Sequence, residues 1–441
     1  MKSTRVLTAA LTLAAALSAG GWAQAQEQIT LVSNTYRTGA FAGSGIPIAD
    51  GMRDFITMIN ARDGGVNGVR IAFEECETGY DTKKSIECYE QARAKGSVMY
   101  LPWSTGATLA AIPRAHIDKM PVMSMAYGLS ASANGETFPW IFNPPLTYWD
   151  GASIAVRYFA DREGGFDKLK GKTIGLVHLD APYGKEPIPV LDALAKEYGF
   201  TLKLYPVAPT EMQNQSSLWL SIRRDRPDWI YLQGWGAMNP TAVREAGRAG
   251  FPVDKVLGVW WSGGDDDARP AGPAGKGYKS LSWHQVGTDF PLLQDVIKHV
   301  VDKGQSQSPK DKVGDSLYNR GLYQGVLFVE AVRNAQKLTG KKVITAEDMR
   351  RGLEALDIPA ERWKALGADG FAAPVKVSCS NHNGHNDAFI LDWDGTKWQK
   401  GSNWLKPLSE KVQPLIDQAA KDYAAQNSGW PKRSEACDQR S

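Results

Sequence analysis

Histidine and cysteine are scarce in this 441-residue chain, with six of the first and four of the second. His116, His178, His284 and His299 are scattered, and no H-E-x-x-H pair occurs. Neither a paired general acid and base nor a helical zinc motif is therefore visible. No G-x-S-x-G nucleophile elbow is present. Gly171-Lys172-Thr173 ends like a phosphate loop, but Phe166 stands where that loop needs its first glycine, and the triplet precedes a strand rather than following one. A nucleotide site is excluded there. These absences argue against an enzyme. Charge of one sign is not in excess: the net charge is +3, of which Lys2 and Arg5 contribute two. That balance points away from nucleic acid. After the N-terminus no apolar run is long enough to span a membrane, and no solenoid-period repeat or low-complexity tract is found.

What is present begins with a secretory leader. Lys2 and Arg5 precede an apolar, Ala/Leu-rich stretch over 6–17, and Ala23-Gln24-Ala25 fits the small-x-small cleavage rule. Residues 1–25 are expected to be removed, leaving a soluble protein outside the cytoplasm. In an oxidising compartment four cysteines imply two disulfides. Of three possible pairings, Cys76–Cys88 with Cys379–Cys437 is favoured because each would staple one local region. The rival is a metal site from Cys379, His382, His385 and Asp387, which lacks a structural-zinc spacing; no metal or cofactor is expected.

Strand and helix alternate through two series. The first has strands at 29–33, 69–73, 98–101 and 121–125, with helices between them; the second runs from 152 to 283 with strands at 173–178, 201–205, 229–233 and 256–261. Such alternation builds parallel sheets covered on both faces, with ligands at the strands' carboxyl ends. Asn143-Pro144-Pro145 marks a break between the series. Helices follow at 292–301, 317–338 and 346–355, the last capped by Thr345, then strands at 375–379 and 388–393 and a terminal helix at 412–425. The Asp265-Asp266-Asp267 run is read as a solvated loop rather than a cation site.

The chain is organised around residues 98–116. There a short apolar strand runs through Trp103-Ser104-Thr105-Gly106 into a helix. A strand that ends in Ser-Thr-Gly at a helix start directs free N–H groups and hydroxyls outward, a cradle for a carboxylate. The same residue types also serve as an ordinary helix cap. The fifteen tryptophans, several in expected loops, suit a ligand pocket because each joins apolar area to a polar N–H.

Leader, two doubly wound halves, the break near Pro144 and the strand-end Ser-Thr-Gly together resemble the leucine/isoleucine/valine-type periplasmic binding proteins of ABC importers. The resemblance covers the chain to about residue 374. It implies α/β architecture of the type I periplasmic binding fold: two doubly wound parallel-sheet lobes joined by about three hinge crossings. Lobe one is expected over 26–146 plus 278–371, and lobe two over 147–277 plus 372–441, whose extension wraps lobe two.

Carried over by motif, Trp103, Ser104 and Thr105 would hold a ligand carboxylate. Ala126 and Tyr127, in Ser124-Met125-Ala126-Tyr127, would complete the lobe-one contacts. Tyr183, in Asp180-Ala181-Pro182-Tyr183-Gly184, and Trp235, in Gly234-Trp235-Gly236, would close from lobe two. Tyr318 and Tyr323 match a tyrosine pair on the long helix. Phe41 and Trp261 are added as rings of an aromatic slot.

Two departures from the family matter. The family's glutamate for an amino-acid ammonium has no counterpart in Gly258-Val259-Trp260-Trp261-Ser262-Gly263-Gly264, although Asp265 is close. An unpaired buried ammonium is costly, so the expected ligand is a small aromatic or branched organic carboxylate, with a branched-chain amino acid as the rival. The family's partner for the first cysteine falls at Trp103, leaving Cys88 for Cys76. The implied function is that of a monomeric solute-binding protein delivering to ABC permease subunits. The alternative is a receptor of the same fold that feeds a signalling partner.

Overall fold

The computed structural model describes residues 27–384, 387–431, 433 and 435–437; the expected leader and His385 lie outside them. β1 (Gln28–Thr35) buries Ile29, Leu31 and Val32 on both faces, the pattern of a strand covered by helices on two sides. With β2 (Arg70–Glu77), β3 (Tyr100–Leu101), β4 (Val122–Met123) and β5 (Ile141–Phe142) it forms an all-parallel sheet in the order 2-1-3-4-5. The second sheet holds β6 (Thr173–Leu179), β7 (Thr201–Val207), β8 (Trp229–Gln233), β9 (Val256–Gly258) and β10 (Lys279–Ser282) in the parallel order 10-9-8-6-7. β11 (Asp357–Ile358) and β12 (Val375–Lys376) form a separate ribbon, and β13 (Phe389–Trp393) and β14 (Trp398–Lys400) extend the second sheet antiparallel beside β10.

The two sheets are the cores of two lobes. The Ser316–Thr339 helix returns the chain to lobe one by packing on the Ala42–Arg62 helix. The approach is backbone to backbone. A Cβ on Gly51 would sit 1.9 Å from the Tyr318 carbonyl oxygen, and one on Gly321 would sit 1.9 Å from that of Ile48, so only glycine fits at this crossing. The chain therefore passes between lobes three times: after β5, after β10 and before β13.

Local chemistry sets the helix starts. Thr147 with Asp150, and Thr345 with Asp348, form reciprocal capping boxes, and Asp81 accepts the Lys84 N–H at the start of the Thr82–Ala94 helix. Disulfides join Cys76 to Cys88 and Cys379 to Cys437. The expected local pairing is observed.

Several expectations need correction. Residues 279–282, expected in lobe one, form β10 of the second sheet beside β9 and β13. The tail does not wrap lobe two alone. The Ser409–Gln426 helix lies against both the Ser130–Ala133 turn of lobe one and the Tyr148–Glu163 helix of lobe two, and Trp430 packs on His116 and Phe138 of lobe one. The Asp265–Ala268 segment is a short helix rather than a solvated loop. Its Asp267 is buried and accepts N–H bonds from Gly264 and Asn239, because the turn needs an acceptor at its N-cap. His382 of the rival metal set stacks on Phe142 and bonds the Ile141 carbonyl.

Candidate functional site

The carboxyl ends of both sheets face one another, and a pocket lies between them, the place where folds of this kind bind small molecules. Lobe one contributes Tyr36 just past β1, Tyr80 past β2, Trp103, Ser104 and Thr105 past β3, and Met125 and Tyr127 past β4. Lobe two contributes Tyr183 past β6, Trp235 past β8 and Trp261 past β9, with Tyr148 from the helix after the first crossing. Ile48 and Gln324 complete the wall.

The strand ends are held in tight backbone turns. Trp103 and Ala126, after neighbouring strands, have φ of 52° and 53°, and Tyr80 has 68°. Residues with side chains seldom adopt this left-handed region, and its use clusters where a site requires it. Ser104 ends the turn as the N-cap of the Thr105–Asp118 helix, its Oγ accepting the Ala107 N–H at 3.0 Å. The Thr105 and Gly106 N–H groups lie in the first turn, where no intrahelical acceptor exists, at the positive end of the helix dipole. Tyr127 braces the turn from β4: its hydroxyl accepts the Trp103 N–H at 2.8 Å. The Tyr183 hydroxyl donates to the Gly234 carbonyl at 2.8 Å, fixing the lobe-two wall.

Among the described residues the lining contains no aspartate, glutamate, lysine, arginine or histidine. Burial pushes the Tyr36, Tyr80, Tyr127, Tyr148 and Tyr183 phenols above their ordinary value, so each keeps its proton. A cation stands behind the wall. Arg320, fully buried, stacks 5.2 Å from the Trp261 ring centre and 4.3 Å from that of Trp283. It donates to the Trp260 carbonyl and to His284 Nε2. That bond makes Nε2 the acceptor, so the His284 proton sits on Nδ1 against the Gln285 carbonyl. Burial lowers Arg320 to about 9, which leaves it charged at neutral pH. The helix start and this guanidinium both favour an anion in the cavity.

Of the expected site residues, Trp103, Ser104, Thr105, Tyr127, Tyr183, Trp235 and Trp261 come together around the cavity. Ala126, Phe41 and Tyr323 do not line it. Ala126 acts through its backbone, with N–H to the Pro144 carbonyl and carbonyl to the Trp260 indole. Phe41 lies behind Tyr80 with ring centres 4.2 Å apart. Tyr323 stacks on Trp363 in the layer beyond the helix, and Tyr318 donates to Asp54 at 2.7 Å. The long helix offers Gln324 instead, one residue round its axis from Tyr323. Asp265 is not at the cavity either; it caps Ser316. Tyr36, Tyr80, Tyr148 and Gln324 escaped the sequence reading. The strand-end rule would have found Tyr36 directly after β1, whereas Tyr148 and Gln324 carry no local signal.

Two parallel α/β lobes enclosing an aromatic cavity at their strand ends define a bilobal small-molecule-binding protein. The chain belongs to the periplasmic binding protein family, whose model matches residues 28–401. It is 22% identical over 410 residues to Leu/Ile/Val-binding protein homolog 8 of Brucella suis biovar 1, a match spanning 91% of this chain and 95% of that protein. A crystal structure described as an ABC transporter permease from the Pseudomonas fluorescens group is 38% identical, with a TM-score of 0.86 over 93% of this chain and 100% of that one. A branched-chain amino acid ABC transporter structure from Thermus thermophilus with bound valine is 20% identical, with a TM-score of 0.75 over 88% and 99%.

Proposed function

We propose that this protein is the extracytoplasmic solute-binding component of an ABC importer, and that its solute is a small aromatic or branched organic carboxylate without an α-ammonium group. The lobes close by hinge bending on one ligand, which the closed form delivers to membrane permease subunits; the expected secretory leader places it in the periplasm. The Ser104-Thr105-Gly106 helix start receives the carboxylate, and Trp103, Tyr183, Trp235 and Trp261 cover the apolar body.

The observation that carries this reading is the absence, among the described residues, of any acidic side chain from the lining. An ammonium closed into such a cavity would lose its hydration without gaining a counter-charge. A carboxylate would meet N–H donors and a positive field. The second reading, a branched-chain amino acid, draws on the valine-bound structural relative and the Leu/Ile/Val-binding homologue.

Titration calorimetry separates them. Benzoate and 4-methylpentanoate should bind the mature protein, and leucine and valine should not. If leucine or valine binds more tightly than either acid, the amino-acid reading replaces this one.

A further inference from the structure

Gln324 stands out in the cavity wall. It is fully buried and lines the cavity. Its amide N–H side approaches the Tyr127 phenol oxygen, while Oε1 has no hydrogen-bond partner among the described residues. A buried amide left in that condition costs about 1–3 kcal/mol for each unmet group, and an apolar residue of similar size would avoid the cost. Three donors in the same wall share its state: the indole N–H groups of Trp103, Trp235 and Trp261 have no acceptor among the described residues. The first two rings bracket Tyr36, whose centre lies 5.9 Å from Trp103 and 6.3 Å from Trp235. The four unmet groups are thus spread along the wall rather than gathered at the helix start.

A carboxylate seated on the first turn of the Thr105–Asp118 helix only accepts hydrogen bonds, so it leaves the Gln324 oxygen unmet. A hydroxyl both donates and accepts, and matches an amide in either orientation. Resting on the carboxylate reading above, we infer that the ligand carries a hydroxyl besides its carboxylate, and that Gln324 is the residue that reads it. The solute class narrows to hydroxylated aromatic or branched acids. Sites built to bond a hydroxyl discriminate strongly against the analogue that lacks it, because their own polar groups are then left unpaired.

Paired ligands test this by calorimetry: benzoate against its three monohydroxy isomers, and 4-methylpentanoate against 2-hydroxy-4-methylpentanoate. At least one hydroxy acid should bind the wild-type protein tenfold or more tightly than its parent. Gln324→Leu should bring that ratio below about threefold. Gln324→Met, also unable to pair with a hydroxyl, should behave alike, and it serves if the leucine variant does not fold. Parents that bind as tightly as every hydroxy acid, or a Gln324→Leu loss equal for both members of a pair, would overturn the inference while the carboxylate reading stands. Leucine or valine binding in place of all these acids would overturn both.

Discussion

The carboxylate of Asp265, in lobe two, accepts the backbone N–H of Ser316 at 2.8 Å, capping the long helix of lobe one. On another part of the seam Glu186 of lobe two accepts the Ser130 N–H of lobe one, and its second oxygen takes the Trp149 indole N–H. Both residues are half-buried at this seam.

That arrangement sets a pH dependence. Burial raises Glu186 to about 7, with no cation opposing it. Burial and the neighbouring Asp315 and Asp266 raise Asp265, against Arg269. A group whose closed-form pKa lies above its open-form value makes closure take up a proton, so closure is favoured at low pH and loses that support as pH rises through the closed-form value. Ligand affinity should rise roughly tenfold from pH 8 to pH 5.5, the equivalent of one pKa unit. Glu186→Gln and Asp265→Asn should each flatten the profile. Calorimetry in buffers of different ionisation enthalpy should count net proton uptake on binding at pH 6.5, and proton release there would refute the assignment.

Trp235 is braced by Tyr36 and Trp261 at 6.3 and 5.4 Å between ring centres, so its place across the cavity is set before a ligand arrives. Trp235→Ala should weaken binding by about 2 kcal/mol or more, near thirtyfold, as removal of a central buried ring does. The ligand-free melting temperature should change far less than that of Trp260→Ala, whose ring stacks on Tyr148 and meets Trp283 edge-on within the core. Equal losses of stability would place Trp235 in the core rather than the site.

The two disulfides close loops of very different length, 12 and 58 residues apart in sequence. On loop entropy alone the first stabilises by about 3 kcal/mol and the second by about 4. Denaturant titrations of the Cys76→Ser/Cys88→Ser and Cys379→Ser/Cys437→Ser pairs should rank them in that order. The second should also loosen the contact of Trp430 with His116 and Phe138, readable as a change in tryptophan emission.

Gly51→Ala tests the helix crossing. The methyl would have to displace the Tyr318 carbonyl, and overpacking of this kind costs roughly 1–3 kcal/mol. Since Gln324 sits on the displaced helix, affinity should fall together with stability. A stable variant with unchanged affinity would show that the crossing can relax.

Periodicity and strand-end chemistry were legible in the chain by themselves. Alternating apolar runs announced two parallel sheets, and Trp103-Ser104-Thr105-Gly106 announced a helix start at a strand end, because both signals are local: a side chain's face follows from its spacing, and a cap from its next three residues. The local disulfide pairing was legible for the same reason. The tertiary structure alone decided what distant segments do together. Spacing could not show that Gln324 rather than Tyr323 reaches the cavity, since one residue turns a helix by 100° and the glycine crossing fixes which face is presented. Nor could it show that Asp265 caps Ser316 rather than waiting for a ligand ammonium, because capping across a seam depends on where two lobes meet. The lack of any charged side chain among the described residues of the lining, on which the ligand's chemistry turns, is likewise a property of packing: it arises where seven strand ends from two sheets converge.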